Sequence, residues 1–248
     1  MTKGFDCSTP LTAQTAAAFV KDGYLFVARY LVPSGFKALT KGEADTISEA
    51  GLQIVSVFET TANRALGGRS AGLADGATAV QVAHNLGQPP GSCIYFAVDF
   101  DASSAQMPTI IAYIRAASEA TPEYTTGVYG SYTVMEAVRN AGACSHFWQT
   151  YAWSDGKKSS FINIYQYLND VVEHGIGVDY DESYGKEGWW NTIAPPEPPV
   201  SYPLSPKDAN VIIPFLSAGY EATSATAAKE EFHRLANELR RVSGQPQQ

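Results

Sequence analysis

What this chain lacks narrows its chemistry before any motif is read. Its 248 residues include only three cysteines (Cys7, Cys93 and Cys144) and four histidines. An odd number of cysteines without metal-ligand spacing argues against a disulfide framework or a thiolate zinc site. Cys7 and Cys93 fall in or beside apolar runs, so buried free thiols in a reducing compartment are expected. Basic residues are scarce: 17 Lys and Arg against 25 Asp and Glu leave a formal charge of −8. With no basic stripe to neutralise phosphates, the balance argues against a nucleic-acid partner and against anionic membranes as a target. No run approaches the length of a membrane span, and Met1-Thr2-Lys3-Gly4-Phe5-Asp6 holds no apolar signal region. The expectation is a chain made in the cytoplasm, neither exported by a classical signal nor inserted in a membrane. HExxH, GxSxG and GxxxxGK[ST] are all missing, and no cofactor is expected.

What is present is apolar and periodic. Apolar residues make up 45% and aromatics 12%, enough for a large core. Short apolar runs alternate with helical segments. Strands are read at Gly4–Cys7, Tyr24–Tyr30, Leu52–Phe58, Cys93–Asp99, Tyr124–Tyr129, Phe147–Trp153, Ile162–Leu168 and Ile176–Tyr180. A helix follows each of the first five. Thr12 reads as the N-cap of one, and Thr40-Lys41-Gly42-Glu43 has the capping-box form at the start of another, which ends at Gly51. Such alternation predicts an α/β fold with a parallel sheet, a TIM-type barrel that is incomplete because helices are missing after its last three strands.

Residues 1–193 form this barrel in the sequence reading. A proline-rich linker follows over 194–205, carrying Ala194-Pro195-Pro196-Glu197-Pro198-Pro199 and Pro203. Residues 206–248 read as a two-helix tail with Ser205-Pro206 as its N-cap and first position, and with Pro214 expected to kink or end the first helix. Phe232, Leu235, Leu239 and Val242 share one side of the second helix. The tail could fold back on the barrel or dock on a protein partner.

Acidic residues mark the strand ends. Asp6 ends the first strand, Glu59 the third, Asp99 and Asp101 the fourth, and Asp179 and Asp181 the eighth. In a parallel barrel all these ends open on one face, which hosts the active site. Asp99 and Asp101 share a side if their strand runs on through Asp101. Carboxylates converging in one cleft repel unless some are protonated, which separates their pKa values and suits glycoside hydrolysis. The same cluster would suit Mg²⁺ or Ca²⁺, and helix capping by one or two of the acids is the plainer alternative. Aromatics and amides decorate neighbouring ends: Tyr129, Trp148, Gln149, Trp153 and Gln166. Rings stack on the C–H faces of sugars and amides bond their hydroxyls, although alternation lets only about half of these face a cleft.

Gly4-Phe5-Asp6-Cys7-Ser8, Tyr95-Phe96-Ala97-Val98-Asp99-Phe100-Asp101, Gly127-Val128-Tyr129-Gly130-Ser131, Phe147 to Ser154 and Val178-Asp179-Tyr180-Asp181 together resemble a bacterial family. It is the glycoside hydrolase-like domain of unknown function found in cell-wall-associated and phage-related proteins. That family is similar in turn to the family-25 lysozymes, whose barrel also lacks its last helices. The resemblance covers roughly residues 3 to 191. It implies cleavage of the β-1,4 bond of peptidoglycan, a bacterial cell-wall glycan as partner, and delivery to the wall by lysis, injection or a phage-type route. It also implies Asp6, Asp99, Asp101 and Asp179 as the matching acids, with Asp101 standing where the lysozymes carry the acid Glu. Asp101 would protonate the leaving oxygen, with Asp99 as its partner and Asp6 and Asp179 as supports. Alternatively Glu59 supplies the proton, or the scaffold binds glycan without cutting it.

Overall fold

A computed structural model describes residues 1–193 and 205–246. They fall in two compact units, Met1–Ala194 and Pro195–Gln248. Apart from Ser205, the linker assigned to residues 194–205 lies outside the described residues.

The first unit is a closed eight-stranded barrel in sequence order. Its strands are β1 (Thr2–Asp6), β2 (Tyr24–Tyr30), β3 (Gln53–Phe58), β4 (Cys93–Ala97), β5 (Thr125–Gly130), β6 (His146–Thr150), β7 (Ile164–Glu173) and β8 (Ile176–Ser183). Helices α1 (Ala13–Lys21), α2 (Lys41–Ala50), α3 (Gly68–Leu86), α4 (Met107–Ala120) and α5 (Tyr132–Asn140) each follow one of the first five strands, and none follows the last three. The mixed α/β barrel with an incomplete ring of helices is therefore the observed fold.

Strand direction departs from the all-parallel expectation. β1 through β7 pair in parallel, but β8 is antiparallel to both β7 and β1. The cause is local. His174-Gly175 joins β7 to β8 with φ of +48° and +81°, the two left-handed residues of a tight hairpin turn. A parallel return needs a crossover of a dozen residues or more, and two residues cannot supply one. Past the barrel the hairpin covers ground that a helix would take. Val171, Ile176 and Tyr180 pack against the outer core, and the His174 ring stands edge-on to Phe19 of α1 at 4.8 Å.

Two apolar layers follow from strand alternation. Phe5, Val27, Ile54, Ile94, Phe96 and Val128 point outward to the helices, while Phe26, Ala28, Val55, Tyr95, Tyr129 and Trp148 fill the barrel. Two glycines make that filling possible. A Cβ on Gly4 would stand 2.1 Å from the Phe26 ring, and one on Gly127 would stand 2.4 Å from the Tyr95 ring. The rings occupy the space those side chains would need.

Thr12 caps α1, and Thr40 accepts the Glu43 N–H at the start of α2. The expected capping box at Thr40 is only half formed. The Glu43 carboxylate instead turns inward to Arg29 Nε at 2.8 Å and to the Leu11 N–H at 3.0 Å. Arg29 in turn donates to the Cys7 carbonyl, so a buried ion pair braces the chain just beyond Asp6. Satisfying a buried guanidinium outweighs a second bond at an exposed helix start.

The second unit holds α6 (Pro206–Ala222), capped by Ser205, and α7 (Thr226–Val242). Pro214 does not end α6, which runs on to Ala222. It sits exposed, where the carbonyl it frees four residues back can be hydrated. Phe232 lies against Gly219, so α7 packs on α6 through part of its apolar face. The side chain of Val242 lies outside the described residues.

Candidate active site

Each functional side chain is placed by the same alternation that fills the barrel. Gly4 and Asp6 face inward on β1, as do Ala28 and Tyr30 on β2, and Tyr95 and Ala97 on β4. One step further along, at the barrel mouth, the inward positions become acids. Asp6, Glu59, Asp99 and Asp179 line one cleft of about 220 Å³ together with Tyr30, Tyr129, Trp148, Trp153, Gln166 and Asn169. A second hollow of about 240 Å³ shares Asp6, Tyr30 and Asp179 and adds Ser8, Asp170 and Gly177. The acids thus sit where two openings meet.

Hydrogen bonds hold the acids in a defined arrangement. Gln166 Nε2 donates to Asp6 at 2.7 Å and to Asp179 at 3.4 Å, while its carbonyl accepts the Tyr129 hydroxyl at 2.9 Å. Asp179 also accepts the Asp170 N–H at 2.8 Å. Beneath them, Asp181 accepts the Trp148 indole N–H at 2.8 Å and feels the charge of Asp6. Glu59 is ion-paired with Lys37 at 3.1 Å, and the Lys37 ammonium lies 4.1 Å from the centre of the Tyr30 ring.

Burial sets the protonation. It pushes Asp6 up to about 8, helped by the charge of Asp179 and opposed by the Gln166 bond. Asp181 is held well above the carboxylate range by complete burial and then by Asp6. Asp99 is raised by burial first and by Glu59 next, with Lys37 working in the opposite sense. Asp179 is raised mainly by burial. With Asp6 raised to about 8, the cleft holds a proton on that side chain at neutral pH, which relieves its repulsion with Asp179.

Most of the residues singled out from the sequence meet in this cleft, and three do not. Asp101 is exposed and absent from the cleft wall. β4 stops at Ala97, and the Asp99 N–H turns to the Ala62 carbonyl, so the strand geometry that would align Asp101 with Asp99 has ended. Gln149 faces out of the barrel, as its neighbour Trp148 faces in. Its amide donates to the Lys157 carbonyl at 2.8 Å and accepts the Ser159 N–H at 2.9 Å, which stitches the β6–β7 loop. Asp181 is fully buried below the cleft and supports Asp6 rather than reaching a ligand. Cys7 is buried with its thiol pushed up to about 12, chiefly by burial, so no thiolate nucleophile is on hand.

The wall residues Tyr30 and Asn169, and Lys37 paired with Glu59, went unread in the sequence. Tyr30 carries a legible signal, an aromatic at the end of a strand in phase with Phe26 and Ala28. Lys37 sits in an irregular loop with no periodicity to place it. Asn169 depends on β-bulges in β7 that no residue pattern announces. Trp153 reaches the cleft from just past β6 with φ of +53°, a strained backbone for a bulky residue of the kind found at functional sites.

The cleft acids are not gathered tightly enough to form a ligand set. Among the described residues, the atoms brought within 4.8 Å of one another are those of Asp22, Glu173 and His174, at the hairpin tip. There Glu173 already accepts the Tyr24 and Tyr180 hydroxyls at 2.8 Å each, and His174 bonds Asp22 at 2.8 Å. These contacts clamp the hairpin to α1 and β2.

A β/α barrel with carboxylates from several strands at one mouth, flanked by aromatics, is a glycoside hydrolase-like, lysozyme-like scaffold. Residues 17–184 match the family described as Rv2525c-like, glycoside hydrolase-like domain, and the chain belongs to that family. It is similar to the Mycobacterium tuberculosis protein named "Putative peptidoglycan hydrolase Rv2525c", with 28% identity over 59% of this chain and 63% of that one. The crystal structure of the Tat-secreted Rv2525c with L-tartrate superposes with a TM-score of 0.69 at 25% identity, covering 76% of this chain and 98% of that chain. The uncharacterized protein YbfG of Bacillus subtilis is 28% identical over 92% of this chain. This chain spans about a third of YbfG (35%) and less than two thirds of the Mycobacterium relative (63%). A glycosyl hydrolase 25 of Streptococcus pneumoniae shares the fold at a TM-score of 0.52 and 12% identity, over 73% of this chain and 86% of that chain.

Proposed function

We propose that the barrel is a peptidoglycan-directed glycoside hydrolase domain of lysozyme-like type, with Asp99 as its proton donor. The observation that carries this reading is the meeting of Asp6, Glu59, Asp99 and Asp179 in one aromatic-walled cleft of about 220 Å³. Asp99 is the half-buried acid whose affinity for its proton is raised by burial, the direction a general acid requires. It delivers that proton to the glycosidic oxygen as the bond to the anomeric carbon breaks, and a water molecule then adds to that carbon and loses a proton to the Asp99 carboxylate. Glu59, held by Lys37, is the neighbouring carboxylate that faces the positive charge developing on the sugar ring. Asp6 and Asp179, tied together through Gln166, orient the sugar, and Tyr30, Tyr129 and Trp153 offer faces for its C–H surface.

Peptidoglycan as the substrate is supported by the likeness to the Mycobacterium protein named as a peptidoglycan hydrolase. Delivery of this chain to the wall belongs to the same proposal. α6 exposes Val211, Ile212 and Phe215, an apolar face that suits a protein partner.

One observation favours a second reading, glycan binding without cleavage. Asp101, which matches the acid position of the family-25 lysozymes, lies outside the cleft. A single assay separates the two: reducing ends and muropeptide masses released from purified peptidoglycan by the wild type, Asp99→Asn and Glu59→Gln. Release by the wild type that is lost in Asp99→Asn supports the hydrolase. Sedimentation of the wild type with cell walls and no release supports the binding domain.

A further inference from the structure

The two helices of the second unit distribute their apolar residues differently. α7 has one apolar side, with Phe232, Leu235, Ala236 and Leu239, and the exposed pairs Arg234–Glu231 and Arg241–Glu238 lie away from it. α6 has two. Ala209, Ile213, Leu216 and Tyr220 follow one another at intervals of four, three and four, and this stripe meets α7. Ala209 is buried, and Leu216 and Tyr220 line a hollow with Phe232 and Ala236. Val211, Phe215, Ala218 and Ala222 repeat the same intervals on the opposite side of the helix. That second stripe is exposed along its length: Val211 by 59%, Phe215 by 74%, and both alanines with them.

The hairpin by itself has almost no core. Among its described residues, the buried apolar side chains are those of Ala209 and Ala236. Two alanines bury too little area to offset the entropy of ordering two helices, and units this small are held by further association.

The exposed stripe is complementary to itself. Its bulky residues, Val211 and Phe215, occupy the N-terminal half of α6, and its small ones, Ala218 and Ala222, the C-terminal half. Set antiparallel to a second copy, with a two-fold axis level with Leu216 and Ser217, Phe215 meets Ala218 and Val211 meets Ala222. Large then packs into small at every step, and each contact occurs twice. A parallel pairing would set Phe215 on Phe215 and alanine on alanine. Charge agrees: residues 206–242 carry five Lys and Arg and five Asp and Glu, so the chain's −8 lies elsewhere. Two such hairpins meet without net repulsion, and nothing in the hairpin draws an anionic or cationic surface in place of a copy.

We infer that α6 is the self-association surface of this protein, pairing antiparallel with α6 of a second copy through Val211, Phe215, Ala218 and Ala222. The result is a layer of four helices in the order α7, α6, α6, α7. One assembly then carries two barrels, and a polymeric ligand meets two sites in place of one. The pairing does not depend on the chemistry of the cleft.

Sedimentation equilibrium of the full chain tests it and should give twice the chain mass. Phe215→Glu and Ala218→Glu, both at exposed positions of the single hairpin, should each raise the dissociation constant about 100-fold or more. Glu231→Ala, on the solvent side of α7, should leave it within about twofold. For the register, Val211→Cys and Ala222→Cys chains should form a disulfide-linked pair under mild oxidation when mixed. Neither should link to itself, because two copies of either position stand about 16 Å apart, beyond the reach of a disulfide. A monomeric wild type, or a dimer untouched by both glutamate variants, overturns the inference. Linking of either cysteine variant to itself overturns the antiparallel arrangement. Shielding of Val211→Cys from alkylation in a monomeric chain would assign the stripe to a surface of the same chain instead.

Discussion

Gln166 on β7 donates to Asp6 on β1 at 2.7 Å at the floor of the cleft, beside the buried Asp181, whose proton affinity Asp6 raises. Trp148 fixes one oxygen of Asp181, as Gln166 fixes Asp6. Asp6 binds its proton up to about 8 in the folded state, against 3.8 for a free aspartate. Between those values the folded chain holds a proton that the unfolded chain has lost, so stability falls as pH rises from about 4 to about 8. Asp6→Asn keeps an acceptor for Gln166 and gains a donor for Asp181. Thermal melts across this window should show a flatter pH dependence in that variant than in the wild type.

Asp99 and Asp101 should separate cleanly. Asp99→Asn removes the proposed proton donor and should cut glycan hydrolysis roughly 100-fold or more. Asp101→Asn should leave the rate within about twofold, since a surface substitution away from the cleft is near neutral. Equal losses in both variants would return Asp101 to the chemistry.

Lys37 lowers the proton affinity of Asp99 by its charge. Replacing it by methionine removes that influence, so Asp99 should hold its proton to higher pH. The alkaline limb of the pH–rate profile should therefore move upward in Lys37→Met. A downward move would mean that the limb reports another group.

The Arg29–Glu43 pair bears on stability alone. Both side chains are buried, and Arg29 also holds the Cys7 carbonyl next to Asp6. Glu43→Ala strands a buried guanidinium and should cost about 3–5 kcal/mol in urea unfolding. A loss below about 1 kcal/mol would show that water reaches the pair.

A great deal of this protein was legible in its residues. Alternating apolar runs and caps such as Thr12 and Gly51 announce a β/α barrel, because period and capping are local physics. Asp6, Glu59 and Asp99 could be placed at one mouth from strand ends alone, since parallel strands expose their ends on one side, whereas Asp179 reaches it from within the antiparallel β8, opposite Asp6. Other features depended on how distant segments meet. The direction of β8 followed from a two-residue turn too short for a crossover. The premature end of β4 put Asp101 outside, and the outward phase of Gln149 gave its amide to a loop. The raised proton affinities of Asp6 and Asp181 needed two strands that are neighbours only once the barrel closes. Spacing along a chain states which side chains point the same way, and only the closed barrel decides which of them share a low-dielectric space, where protonation is set by burial and by neighbours remote in sequence.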